Sequence, residues 1–148
     1  MKTSPTCPFC AIIAGADPDG VVYRSEDVVV FLDQRPLFPG HLLVAPAEHA
    51  ETLGELPETL LGPLMHVVRA ASRIMESELG AQGSFVAINN RVSQSVPHLH
   101  VHVVPRTKGD GLKGFFWPRT KYASDEERDA MAARLAEALK RELGIAPH

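Results

Sequence analysis

The sequence predicts an α+β fold: an antiparallel five-stranded sheet with one main helix packed on it and a second helix at the C-terminal end. Three observations predict it. Five short runs are rich in β-branched residues or alternate apolar with polar side chains. Two longer segments repeat their apolar residues at helical spacing. The order strand–strand–strand, helix, strand–strand, helix is that of a sheet with helices segregated onto it.

Residues 21–24 and 28–33 read as the first two strands, with Ser25, Glu26 and Asp27 as the turn between them. A turn cluster at residues 36–40, Pro-Leu-Phe-Pro-Gly, leads into a third strand at 41–45 that Pro46 stops. From 57 to 79 the period becomes helical: Leu60, Leu64, Val67, Val68, Ala71, Ile74 and Met75 form one apolar stripe. Gly80 is placed to cap this helix, and Pro63 marks an alternative start for its regular part. Residues 84–88 and 98–104 are the fourth and fifth strands. The linker between them is too short for a parallel crossover, so the pair is antiparallel. Residues 107–122 are irregular. A last helix runs over about 124–143, opened by a capping box of Ser124 and Glu127, with Met131, Leu135 and Leu139 on one face and Gly144 at its end.

A chain of 148 residues is one domain by length, 1–148, with no internal repeat. Its 45% hydrophobic and 22% charged residues are those of an ordinary globular protein. A formal net charge of −3 argues against a general nucleic-acid binder. No stretch approaches the ~18 apolar residues of a membrane span. The apolar run at Ala11-Ile12-Ile13-Ala14 is short of the ~7–15 residues of a secretory signal. The expected location is cytoplasmic.

The strongest chemical signal is Ser95-Val96-Pro97-His98-Leu99-His100-Val101-His102-Val103-Val104, which holds three of the seven histidines. On a strand the three imidazoles share one face, roughly 6–7 Å apart, while Leu99, Val101 and Val103 share the other. Imidazole near neutral pH is a nucleophile, an acid, a base or a metal ligand. A single catalytic metal held by all three is excluded by length. His98 and His102 lie ~13 Å apart on a straight strand, against bonds of ~2.1 Å.

The run Gln94-Ser95-Val96-Pro97-His98-Leu99-His100-Val101-His102-Val103-Val104 resembles the signature of the histidine triad (HIT) proteins, nucleotide hydrolases and transferases, in which histidines alternate with apolar residues. Upstream, Asp33, the Pro39-Gly40-His41 turn and Pro46-Ala47-Glu48-His49 are similar to that family's strand–turn–strand segment. Together these matches span roughly residues 5–106, nearest the dinucleoside polyphosphate hydrolase branch.

The resemblance implies a mechanism. His100 attacks the α-phosphorus of a nucleotide and forms a covalent nucleotidyl-histidine, which water or another acceptor resolves. His102 binds the phosphate oxygens. Gln94 and Ser95 contact phosphate and leaving group. Asp33 stands where the family binds ribose, although a strand-end carboxylate is also a common turn former. Asn89 or Asn90 contacts ribose or phosphate. The loop from Asn90 to Gln94 is shorter than the family's and lacks the glycine found before the glutamine. His41 resembles a structural histidine. Magnesium carried by a polyphosphate and a homodimer formed through helix and sheet edge are also implied.

Cys7-Pro8-Phe9-Cys10 is a second constellation, too small for a disulfide framework. It reads as half a zinc site, a reduced structural pair or a redox pair. The resemblance implies a structural zinc closed by His49 and His98, which leaves His100 and His102 for phosphate. A third segment, basic through Arg106, Lys108, Lys113, Arg119 and Lys121 and aromatic at Phe115-Phe116-Trp117, either steers a polyphosphate or packs.

Three functions compete. One is hydrolysis at a nucleotide α-phosphate, on a dinucleoside polyphosphate or a nucleoside phosphoramidate, with transfer or phosphorolysis as variants. The second is a nucleotide-binding interaction module with vestigial activity. The third is a metal-dependent hydrolase.

Overall fold

A computed structural model describes residues 1–113 and 119–144. The chain forms two compact units, residues 1–110 and 111–148. The first holds a five-stranded antiparallel sheet in the order β1-β2-β3-β5-β4. Its strands are β1 (Val21–Arg24), β2 (Val28–Leu32), β3 (Leu42–Pro46), β4 (Gly83–Ala87) and β5 (Val101–Arg106). Two helices accompany them, α1 (Pro8–Ile13) and α2 (Glu58–Ser77). In the second unit lies α3 (Asp125–Glu142), where Ser124 caps the Glu127 N–H and Glu127 reaches back to the Ala123 N–H. The Phe115-Phe116-Trp117 motif lies outside the described residues. No described helix is long and apolar enough to cross a membrane.

The sheet is covered on both faces, which explains why β2 and β3 read as unbroken apolar runs. Val28, Val30, Leu42, Val44, Leu99, Val101 and Val103 pack with Leu64, Val68, Ala71 and Met75 of α2. On the other face Val29, Phe31, Leu43 and Ala45 pack with Cys7, Phe9 and Cys10 at α1. α1 is a helix that the sequence pattern does not predict. Its signals are local: Cys7 as N-cap, with its sulfur accepting the Cys10 N–H, and Pro8 in the first turn, where no N–H is missed.

Two boundaries also differ. α2 starts at Glu58 and carries Pro63 inside it, early enough that the missing N–H interrupts only the second turn. Gly80 adopts the left-handed conformation, and its N–H bonds the Glu76 carbonyl as a C-terminal cap. β5 begins at Val101 rather than His98. The backbone before it is bonded elsewhere, Leu99 N–H to the Ala50 carbonyl and His98 N–H to the Val96 carbonyl. The triad is therefore not one straight strand, although the alternation of faces persists.

Candidate active site and metal centre

β2 and β3 are joined by a hairpin whose ladder extends one pair beyond the strands, through the Asp33 N–H to the His41 carbonyl. Gly40 makes the turn possible on two counts. Its φ of +96° is left-handed, and a Cβ there would collide with Leu79. The hairpin sets Asp33 and His41 side by side, Oδ2 to Nε2 at 3.6 Å. β5 runs alongside β3, with His102 opposite Leu43. His102 Nδ1 thereby comes within 3.0 Å of His41 Nε2.

Proton positions follow from these contacts. His41 Nδ1 accepts the Leu37 N–H at 3.1 Å, so its own proton sits on Nε2 and is donated to His102 Nδ1. His102 then carries its proton on Nε2. Burial pushes the His102 imidazole down to about 4 from its ordinary value, helped by the neighbouring His100 and His41, while Asp33 opposes the shift. His41 is lowered too, by burial. Both rings are neutral near pH 7.

His100 is buried, and its Nδ1 lies 2.7 Å from the His98 carbonyl oxygen. An imidazole nitrogen facing a carbonyl is the protonated one, so the lone pair of His100 is on Nε2. Its ring packs edge-on against Phe9 at 5.0 Å and against His102 at 4.9 Å. His100, His102, Ser95 and Asp33 line one pocket of about 700 Å³, together with Phe9, Ile12 and Phe31. A second cavity of about 310 Å³, between α2 and β1–β3, is lined by apolar residues and His66 and holds none of these groups.

The other expected contacts are placed differently. Gln94 is tied to backbone at both ends of its amide, accepting the Arg91 N–H and donating to the Glu51 carbonyl. Asn90 accepts the Leu53 N–H. These side chains brace the short loop after β4, in which Arg91 and Ser93 are both left-handed. Asn89 is exposed. Arg106 is spent on Asp110, at 2.6 and 3.1 Å, and its charge is reinforced by that pair.

Cys7, Cys10, His49 and His98 bring four ligand atoms within 4.8 Å of one another. His98 is fully buried, and its Nε2–H donates to the Pro46 carbonyl at 2.9 Å, which leaves Nδ1 bare. That nitrogen faces Cys7 Sγ at 3.4 Å and Cys10 Sγ at 3.6 Å, and His49 Nδ1 faces Cys10 Sγ at 3.4 Å. Tetrahedral zinc with its usual bond lengths separates a sulfur from a nitrogen by about 3.6 Å. The four residues fit it. Asp33, His41 and His102 also cluster. There the proton on His41 Nε2 occupies the lone-pair position a metal needs, and removing it breaks the Leu37 bond.

The HIT domain family model matches residues 14–109. The chain belongs to the HIT family. It is 41% identical over 107 residues to an uncharacterized HIT-like protein of Methanocaldococcus jannaschii, covering 71% of this chain and 82% of that one. It is 36% identical over 92 residues to the asymmetrical bis(5′-nucleosyl)-tetraphosphatase of Schizosaccharomyces pombe, covering 61% and 50%. A zinc-bound histidine triad protein of Mycobacterium smegmatis superposes with a TM-score of 0.68 at 34% identity, covering 90% and 97%. This HIT chain thus has the family's antiparallel α+β fold.

Two contributions to its site were not read from the sequence. His41, whose resemblance implies a structural role, bonds directly to His102. α1 and the turn after it supply a wall of the pocket through Phe9, Ile12 and Asp17. The i, i+3, i+4 spacing of Phe9, Ile12 and Ile13 is the signal that announces that wall.

Proposed function

We propose that this HIT protein hydrolyses a nucleotide at its α-phosphate through a covalent nucleotidyl-histidine on His100, acting on a dinucleoside polyphosphate or a nucleoside phosphoramidate. The observation that carries the reading is the 2.7 Å contact of His100 Nδ1 with the His98 carbonyl, which directs an unprotonated Nε2 toward the pocket. That lone pair forms the bond to phosphorus. The P–O or P–N bond to the leaving group breaks; a polyphosphate departs as its anion, and the amine of a phosphoramidate departs with a proton taken from water. Water then attacks phosphorus, the P–N bond to His100 breaks, and a nucleoside monophosphate is released.

His102 donates from Nε2 to an α-phosphate oxygen, and His41 holds it in that tautomer. Ser95 contacts the phosphate and leaving group, and Asp33 the ribose hydroxyls. Gln94 joins Ser95 by exchanging one of its backbone bonds, and Asn89 or Asn90 completes the ribose and phosphate contacts. The tetraphosphatase relative supports the polyphosphate branch of this reading.

Cys7, Cys10, His49 and His98 hold a structural zinc, supported by the four-ligand geometry and by the zinc-bound relative. Bound zinc cross-links the start of α1 to the triad. The edge strands β1 and β4 leave sheet edges for the expected homodimer, for which light scattering is expected to give twice the chain mass.

The deciding comparison is wild type against His100→Gly on a panel of dinucleoside polyphosphates and phosphoramidates. Turnover is expected to fall below detection while nucleotide binding persists. Binding without turnover in wild type selects the interaction module instead. Turnover that survives in His100→Gly removes the histidine from the chemistry.

A further inference from the structure

The pocket around His100 and His102 has a polar wall that phosphate chemistry leaves unused. Asp17 follows the turn after α1 and lines the pocket, and its side chain does not cap the 3₁₀ turn Pro18–Gly20 that it precedes. Among the described residues no donor reaches its carboxylate. Gly20 leaves it room, since a Cβ there would come within 2.6 Å of Asp17 Oδ2. Asp33, the pocket's other carboxylate, is already engaged by the Arg35 N–H at 2.8 Å and lies 3.6 Å from His41 Nε2. Gln34 lines the same pocket, and its amide has no partner among the described residues. Phe9, Ile12 and Phe31 supply apolar surface of the kind that takes a flat ring.

We propose that Asp17 selects the base of the bound nucleotide in favour of guanine, an inference that rests on reading this pocket as the nucleotide site. A carboxylate only accepts hydrogen bonds. Guanine presents two adjacent donors, N1–H and the 2-amino group, which the two Asp17 oxygens accept as a pair. Adenine presents N1 as an acceptor at that edge, so a lone pair faces a negative charge. The Gln34 amide supplies a donor for O6 or N7 of guanine, the acceptors on the remaining edge.

Calorimetric titration of GMP and of AMP into the full chain tests this. Wild type is expected to bind GMP about tenfold or more tightly than AMP, the usual discrimination of a paired base contact. Asp17→Asn, whose amide matches adenine's donor–acceptor edge, is expected to move the ratio toward AMP by about tenfold, and Asp17→Ala to bring it near unity. Gln34→Leu lowers the preference without reversing it, and serves if the Asp17 variants do not fold. Equal binding of GMP and AMP by wild type, or a ratio that no substitution moves, overturns the proposal. If neither nucleotide binds, it falls together with the nucleotide pocket. A GMP preference in a chain that turns nothing over refutes the hydrolase reading alone. Turnover of guanosine and adenosine phosphoramidates at equal rates, with GMP and AMP bound equally, refutes the base assignment alone.

Discussion

His41 Nε2 stands 3.0 Å from His102 Nδ1, a contact between residues 61 apart that the β2–β3 hairpin and the β3–β5 pairing create together. It determines which nitrogen of His102 faces the pocket. His41→Ala frees His102 to take the other tautomer, with its proton on Nδ1 and no donor toward phosphate. The expected loss in kcat is about a hundredfold, in the range of misplaced acid–base groups. Nucleotide affinity changes little. Nitrogen-15 chemical shifts of His102 check the cause, reporting Nε2–H in wild type and a tautomer mixture in the variant.

The His102 shift also makes a stability prediction. Its folded value of about 4 lies below the ordinary 6.5. Between those values the unfolded chain binds more protons than the folded one, so stability rises with pH across that window. The contribution is complete above about pH 6.5, is lost as pH falls toward 4, and amounts to roughly 2–3 kcal/mol. Urea midpoints measured from pH 7 to pH 4 are expected to fall more steeply in wild type than in His102→Asn. Equal slopes would remove His102 from the account.

Much of this was legible in the sequence. The five strands are short apolar runs separated by turn residues, so their order and approximate ends follow from periodicity. The alternation of His98, His100 and His102 with Leu99, Val101 and Val103 assigns their faces even though the ladder begins only at Val101. The His41–His102 contact was not legible, because it depends on which strands become neighbours. α1 escaped notice because it spans only six residues, fewer than two turns, so its helical spacing rests on Phe9, Ile12 and Ile13 alone. Gln94 and Asn90 read as substrate contacts from motif position, yet their backbone bonds depend on how the 51–55 segment folds beside them.

The loop that lacks the family's glycine carries a measurable strain. Ser93 has φ +60°, a conformation that is unfavourable for a side chain with a Cβ. Ser93→Gly removes that cost and adds unfolded-state entropy, for a net gain of about 0.5 kcal/mol. The urea midpoint is expected to rise slightly, whereas Ser93→Val lowers it.

Zinc removal is expected to act on the pocket through α1. Cys7 and Cys10 hold the helix that presents Phe9 to His100 at 5.0 Å. Metal analysis is expected to give one zinc per chain in wild type and none in Cys10→Ser. The variant is expected to melt several degrees lower and to bind nucleotide more weakly, since the wall bearing Phe9 and Ile12 loosens. Full zinc content in Cys10→Ser would place the metal elsewhere.

The proposed mechanism turns on a bond from His100 Nε2 to phosphorus. Intact-protein mass spectrometry after brief mixing with a phosphoramidate or dinucleotide tests it most directly. The predicted result is a species heavier by one nucleoside monophosphoryl group, mapped to His100 and absent from His100→Gly. Substrate consumed under single-turnover conditions with no adduct at any mixing time, or an adduct mapped to His102, would contradict it.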